Sequence, residues 1–333
     1  MERAIIHSDL AREAIQPPSL LNKYLDLLQS DINKLLLKKP LEDVGCPVCG
    51  EIARRESFQK MGMTFNVSKK LGNIYISPRP SPQDLREFYL ESSARKFWLT
   101  EFWNNTYDQR IAKVVIPQLE WVNDSIMEHI SRGPVEVTEM LANNWGYASL
   151  AEGVIADARY HLASPLVPDA LLPATLRENV WPEGVENESQ DAVLMFEALD
   201  RSTDPQQTLS DAKAALKPGG LCFITCLLSS GFEPQILREE SDIFIPPERM
   251  NLLSYEGMVQ LVEGIGGLDI VEFSTPGVLD IQNVIEKLPG RERFLNYIFK
   301  ERSDTGVVRS FQEFLQLNRL ATFGRLVLKK RSV

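Results

Sequence analysis

The sequence predicts an α/β protein built on a doubly wound, mostly parallel sheet, and three observations carry that prediction. Beyond Pro134, apolar strand-like runs alternate with helical patterns, as parallel strands joined by crossover helices require. Residues 191–196 form a nearly uninterrupted apolar run, suited to a strand buried on both faces. Residues 204–228 then read as a capped helix, a Pro218-Gly219-Gly220 stop and a second apolar strand.

In chain order, residues 19–38 place Leu20, Leu21, Tyr24, Leu25, Leu28, Ile32, Leu35 and Leu36 at spacings of three and four, the signature of an amphipathic helix that ends before Pro40. Its apolar face serves either its own domain or a partner, a second copy included. Residues 63–67 and 73–76 predict a small hairpin module. The segment 84–116 is rich in aromatic residues, among them Phe88, Tyr89, Phe97, Trp98, Phe102, Trp103 and Tyr107, which pack helices or line a cleft. Residues 135–141 are the expected first strand of the large sheet, followed by a helix over 149–158. Asp204 caps a helix with Pro205 in its first turn and Leu209, Ala212 and Leu216 inward. In the strand 221–228, Cys222 and Cys226 share one face of the core. Ser254 caps a helix over 255–265, and the alternation over 268–275 predicts a half-buried edge strand. Two helical stretches follow, broken near Pro289-Gly290 and Asp304-Thr305-Gly306, before a last apolar run over 325–328. These features divide the chain into a helical extension (1–45), a hairpin module (46–82) and a large α/β domain (83–333).

Composition narrows the function classes. Lys and Arg total 36 against 46 Asp and Glu, a net charge of -10 with no basic stripe, which argues against nucleic-acid binding through phosphates. No apolar run reaches the roughly 18 residues of a membrane span, and no leader pattern opens the sequence. A cytoplasmic protein is expected. Four cysteines, two in an apolar strand and two in Cys46-Pro47-Val48-Cys49, do not form a secreted disulfide framework.

The run D-A-V-L-M-F-E-A-L-D (residues 191–200), then L-K-P-G-G-L (216–221), P-P-E-R-M-N-L-L-S (246–254) and T-P-G-V-L-D-I (275–281) resemble bacterial class I S-adenosylmethionine-dependent methyltransferases with an amino-terminal zinc module. With F-Q-E-F-L-Q-L-N (311–318), the likeness covers roughly residues 46–330. It implies a Rossmann-like fold with S-adenosylmethionine at the carboxyl ends of the strands, and a small or sugar-linked acceptor in a glycan-related pathway.

Several positions depart from that pattern. The glycine-rich turn falls on residues 143–150, where Gly146 matches a glycine and Asn144 and Ala148 stand at the flanking positions. In this register the acidic position becomes Ala142; recruiting Glu139 instead shifts the frame away from the glycine. The ribose-gripping carboxylate maps to Ser164 or Pro165, with Asp169 as a nearby substitute. Glu197 falls at the methionine side of the cofactor or in the cleft. Cys46 and Cys49 match half of a zinc site, but the second pair is Ser68 and Leu71, so zinc is not expected. Three family histidines map to Arg201, Arg249 and Phe323, and the two arginines suit an anionic substrate. Two functions stay open: a methyltransferase, and a methyltransferase-fold binding or assembly subunit without catalysis.

Overall fold

A computed structural model describes residues 5–130, 133–181, 184–288, 290, 292–302 and 305–332. Pro289 and Asp304, two of the expected helix breaks, lie outside these residues. The strands in chain order are β1 (Arg54–Lys60), β2 (Met63–Ser68), β3 (Ile74–Ile76), β4 (Val135–Met140), β5 (Ala158–Ala163), β6 (Val180–Trp181), β7 (Gln190–Phe196), β8 (Leu216–Leu227), β9 (Asn251–Leu252), β10 (Leu268–Ser274) and β11 (Phe323–Lys330).

Seven strands form one sheet in the order β10-β11-β8-β7-β4-β5-β6. Pairs from β6 through β8 are parallel, while β11 runs antiparallel to both β8 and β10. The order turns back on itself at β4, the doubly wound arrangement of a Rossmann-like methyltransferase sheet, with one antiparallel strand inserted near the edge. The alternation of side chains explains the layers. Ala192, Leu194, Phe196, Leu221 and Phe223 enter one core with the helix Ile116–His129, while Val193, Met195, Cys222, Ile224 and Cys226 enter the other with the helices Pro205–Ala215 and Tyr255–Ile265. Asp204 and Ser254 cap those two helices, their side chains accepting from the Gln207 and Gly257 N–H groups. The strand over 268–275 stands at the sheet edge as its alternation predicts.

Three expectations are corrected. The crossover between β4 and β5 is one helical turn, Ala151–Val154, instead of a helix over 149–158: Ile155 already leaves the turn extended and Asp157 reverses the chain at φ 54°. Helix Pro205–Ala215 ends one residue before Leu216, and the Pro-Gly-Gly turn is absorbed as an irregular start of β8, with Gly219 at φ 81°. The hairpin module is a four-stranded antiparallel sheet, β1-β2-β3-β9, completed from far along the chain. β1 was illegible because RRESFQK is mostly exposed and brings a single apolar side chain, Phe58, onto Phe65 and Phe244.

The helix Pro18–Asp31 continues through a π-helical turn, Ile32–Leu36. Tyr24, Leu28, Ile32 and Leu36 are buried against β2, β3 and the helix Pro82–Glu91, so this face packs within its own chain. The two turns of the module have the same backbone course. Gly50 N–H bonds to Cys46 O and Gly72 N–H to Ser68 O, both at positive φ. Cys46, Cys49 and Leu71 share one apolar cluster, while Ser68 Oγ bonds to Glu51. Among the described residues no three His, Cys, Asp or Glu side chains are placed to hold a metal, and no helix is long and apolar enough to cross a membrane.

Candidate functional site

The carboxyl ends of β4, β7 and β8 open into a cleft of about 1320 Å³, at the switch point where a doubly wound sheet places its ligands. The amino-terminal segment crosses it. Ile6 exchanges hydrogen bonds with Gln316, Arg12 pairs with Asp242, and Lys113 bonds to Asp9. Trp98, Phe102, Trp103, Tyr147 and Phe196 give the cleft an aromatic wall.

At the end of β4, Glu139 is buried and accepts a 2.8 Å bond from the Tyr160 hydroxyl. Burial pushes its carboxyl up to about 7, against the pull of that bond and of Arg201. Two residues on, Leu141 sits at φ 55°, a conformation that favours glycine. The turn then folds on itself: Gly146 N–H donates to Asn144 Oδ1 at 2.8 Å, and Asn144 Nδ2 donates to Asn143 Oδ1. Gly146 faces no open space. A Cβ built there would stand 2.5 and 2.6 Å from two indole carbons of Trp103. Ala148 is buried in the core, whereas Asn143, Asn144 and Tyr147 line the cleft. Tyr147 packs on Phe196 with ring centroids 4.4 Å apart and donates to Gln118.

The ground between β4 and β5 is filled. Leu166 N–H donates to Ala142 O at 2.8 Å, and Ala142, Pro165, Leu166 and Val167 are all buried. Ser164, at φ 48°, bonds through its N–H to Trp181 O. Asp169 is exposed in the short 3-10 turn Asp169–Leu171. Neither Ser164 nor Asp169 is among the residues lining the cleft.

The β7 side differs. Glu197 is held in a left-handed conformation, its N–H bonded to Thr225 O and Oγ1, and it lines the cleft. Burial alone would raise its carboxyl, but Arg249 at 3.0 Å and Arg201 at 3.5 Å hold it below the ordinary range. Asp200, 3.7 Å from Arg249, is pushed up to about 7 by burial and by Glu197, against the pull of Arg249. Arg201 is 1% exposed, donates to Phe196 O and does not line the cleft. Arg249 lines it, but its charge is already met by Glu197. Behind them Arg95 pairs with Glu248 at 3.2 Å and reaches the Asn143 carbonyl, and Tyr24 also bonds to Glu248.

The structure therefore brings Asn144, Glu197 and Arg249 to one cleft and leaves Gly146, Ala148, Ser164, Asp169 and Arg201 off its lining. Sequence reasoning missed Arg95, Arg110, Glu248 and the role of Trp103. The aromatic run over 84–116 was the available signal for Trp103; the buried charges carried none, because their partners lie far along the chain.

No family model matches the chain, and no curated protein does. Solved structures with similar folds include a Burkholderia thailandensis 1,6-didemethyltoxoflavin-N1-methyltransferase (12% identity, 83% of this chain and 100% of that one, TM-score 0.44). Others are the Haemonchus contortus phosphoethanolamine N-methyltransferase 2 (15%, 84% and 71%, TM-score 0.42) and a coclaurine N-methyltransferase (11%, 66% and 73%, TM-score 0.39). Likeness at this level carries no argument about activity.

Proposed function

We propose that this chain is a class I methyltransferase-like protein that uses the scaffold to bind a small molecule, without holding S-adenosylmethionine in the place the resemblance implies. One observation carries this reading: the Trp103 indole lies against Gly146, where a cofactor would have to approach the backbone. The filled ground around Ala142 and Leu166, and the absence of a carboxylate at Ser164, agree with it. In the alternative register, with Glu139 as the acid, Leu141 and Asn143 stand where the family has glycines, so their side chains narrow the approach on that part of the turn as well. The cleft remains, and it has more than enough room for a drug-sized ligand.

A second reading keeps the enzyme: S-adenosylmethionine-dependent methylation of a small or sugar-linked acceptor, with Glu197 and Asn144 facing the cofactor from the open side. Both residues line the cleft, which favours it. Positioning a nucleophilic acceptor needs no base, so this reading does not depend on an imidazole, although His7 lines the cleft.

Calorimetry with S-adenosylmethionine and S-adenosylhomocysteine separates the two. The binding reading expects no saturable heat at millimolar ligand; affinity in the micromolar range, lost on Glu197→Ala, would establish the second reading instead.

A further inference from the structure

Among the described residues, six lysine and arginine side chains line the cleft: Arg12, Arg110, Lys113, Arg249, Arg309 and Arg325. Five have a carboxylate within ion-pair distance, namely Asp242, Asp9, Glu197, Glu313 and Glu272 for all but Arg110. Arg110 has none among the described residues. Its Nε donates to Thr106 Oγ1 at 2.9 Å and its Nη2 to the Ile15 carbonyl, which leaves Nη1 without a hydrogen-bond partner among those residues. The guanidinium lies over Trp98 at 4.5 Å and Phe102 at 5.5 Å, both on the cleft wall. Burial pushes it down to about 10, the sign of a cation whose lost hydration is not fully compensated by the more distant Glu197 and Tyr147.

Arg110 is half-buried, so water can meet the spare donor, and an anion entering the cleft would replace that water with a charge-assisted hydrogen bond. Its surroundings specify the rest of the ligand. Trp98, Phe102, Trp103, Tyr147 and Phe196 offer apolar, mostly flat surface. Among the described residues, the other cations of the cleft are paired, and its two carboxylates without an ion-pair partner, Glu233 and Asp280, are held by hydrogen bonds from Ser241, Asn283, Gln312 and Thr322, so the single charge of Arg110 suits a monoanion better than a phosphate dianion. We propose that Arg110 binds the carboxylate of a small acid whose apolar body lies against the Trp98–Phe102–Trp103 wall. Arg201 and Arg249, the arginines that the sequence marks for an anion, instead hold Glu197 in place.

This inference rests on the cleft being a small-molecule site, and its test is independent of S-adenosylmethionine binding. The probes are 4-phenylbutyrate and its uncharged amide, titrated into the full chain while tryptophan fluorescence is followed; Trp98 and Trp103 are the local reporters. Saturable quenching by the acid is expected, with the amide about tenfold or more weaker, the range of a charge-assisted hydrogen bond. Arg110→Gln should remove that preference while leaving amide binding unchanged, and Arg110→Lys should restore part of it. Equal binding of acid and amide, an acid preference that survives Arg110→Gln, or no saturable quenching by either probe overturns the proposal. If Arg110→Gln does not fold, the acid–amide contrast in the wild type and in Arg110→Lys decides. S-adenosylmethionine binding by calorimetry would overturn the noncatalytic reading and leave this result standing.

Discussion

The loops after β4 and after β7 meet at the same switch point, yet they differ in what covers them. After β7, Glu197 projects into a cleft and is held by Arg249 and Arg201. After β4, Gly146 is capped by Trp103, and Ala142 is tied to Leu166. Both loops keep backbone conformations that suit a ligand-binding turn, Leu141 and Glu197 each at positive φ. The contrast teaches that strand ends fix where a loop runs, while side chains from other segments decide whether anything can reach it.

The largest expected effect tests the filled side. Trp103→Ala removes a 4%-exposed indole from between the turn and the core, and should cost about 3–5 kcal/mol in a denaturant melt. A loss below about 1 kcal/mol would mean that the indole is a loosely seated lid, and the contrast between the two loops would weaken.

Next comes the buried acid beneath that turn. Glu139 keeps its proton to about 7 when folded and releases it near 4.5 when unfolded, so the folded form binds the extra proton between those values. Stability should therefore fall as pH rises through this window. Glu139→Gln, which retains an acceptor for Tyr160, should remove that fall and be the more stable form at pH 8 by roughly 2–3 kcal/mol. Parallel pH profiles of wild type and variant would refute this placement of the charge. Asp200, pushed to about the same value, contributes in the same direction, so the wild-type slope will not vanish entirely.

Gly146→Val should cost about 1–3 kcal/mol, because its new side chain must displace Trp103. Combining it with Trp103→Ala should recover part of that penalty, since the clash is with one side chain; simple additivity in a double-mutant cycle would disprove the contact. The smallest effect is a reference on the regular side of the sheet. Ser254→Ala removes the cap of the helix Tyr255–Ile265 and should cost about 1 kcal/mol by thermal melt, with no change in cleft ligand binding.

The segments legible in the sequence are those whose reasons are local. β7 is apolar because it lies between β4 and β8; the caps at Asp204 and Ser254 act on residues three positions away; Cys222 and Cys226 share a face through strand alternation alone. The amphipathic helix was legible for the same reason, although its pattern could not say that β2, β3 and the helix Pro82–Glu91 cover it. β1 escaped notice because a mostly exposed strand with a single apolar side chain has no apolar period to display.

By itself, then, the sequence determined the fold class and most of the large-sheet strands in chain order, since periodicity and turn residues act over a few positions. Only the tertiary structure decided what the site can hold. Trp103 reaches Gly146, Arg95 reaches Glu248 and Arg249 reaches Glu197 from separate segments. Among the described residues, Arg110 stood out as the unpaired cation only when every other lysine and arginine of the cleft had found its carboxylate. Burial and charge pairing are properties of neighbours in space, and no local pattern in a chain names them.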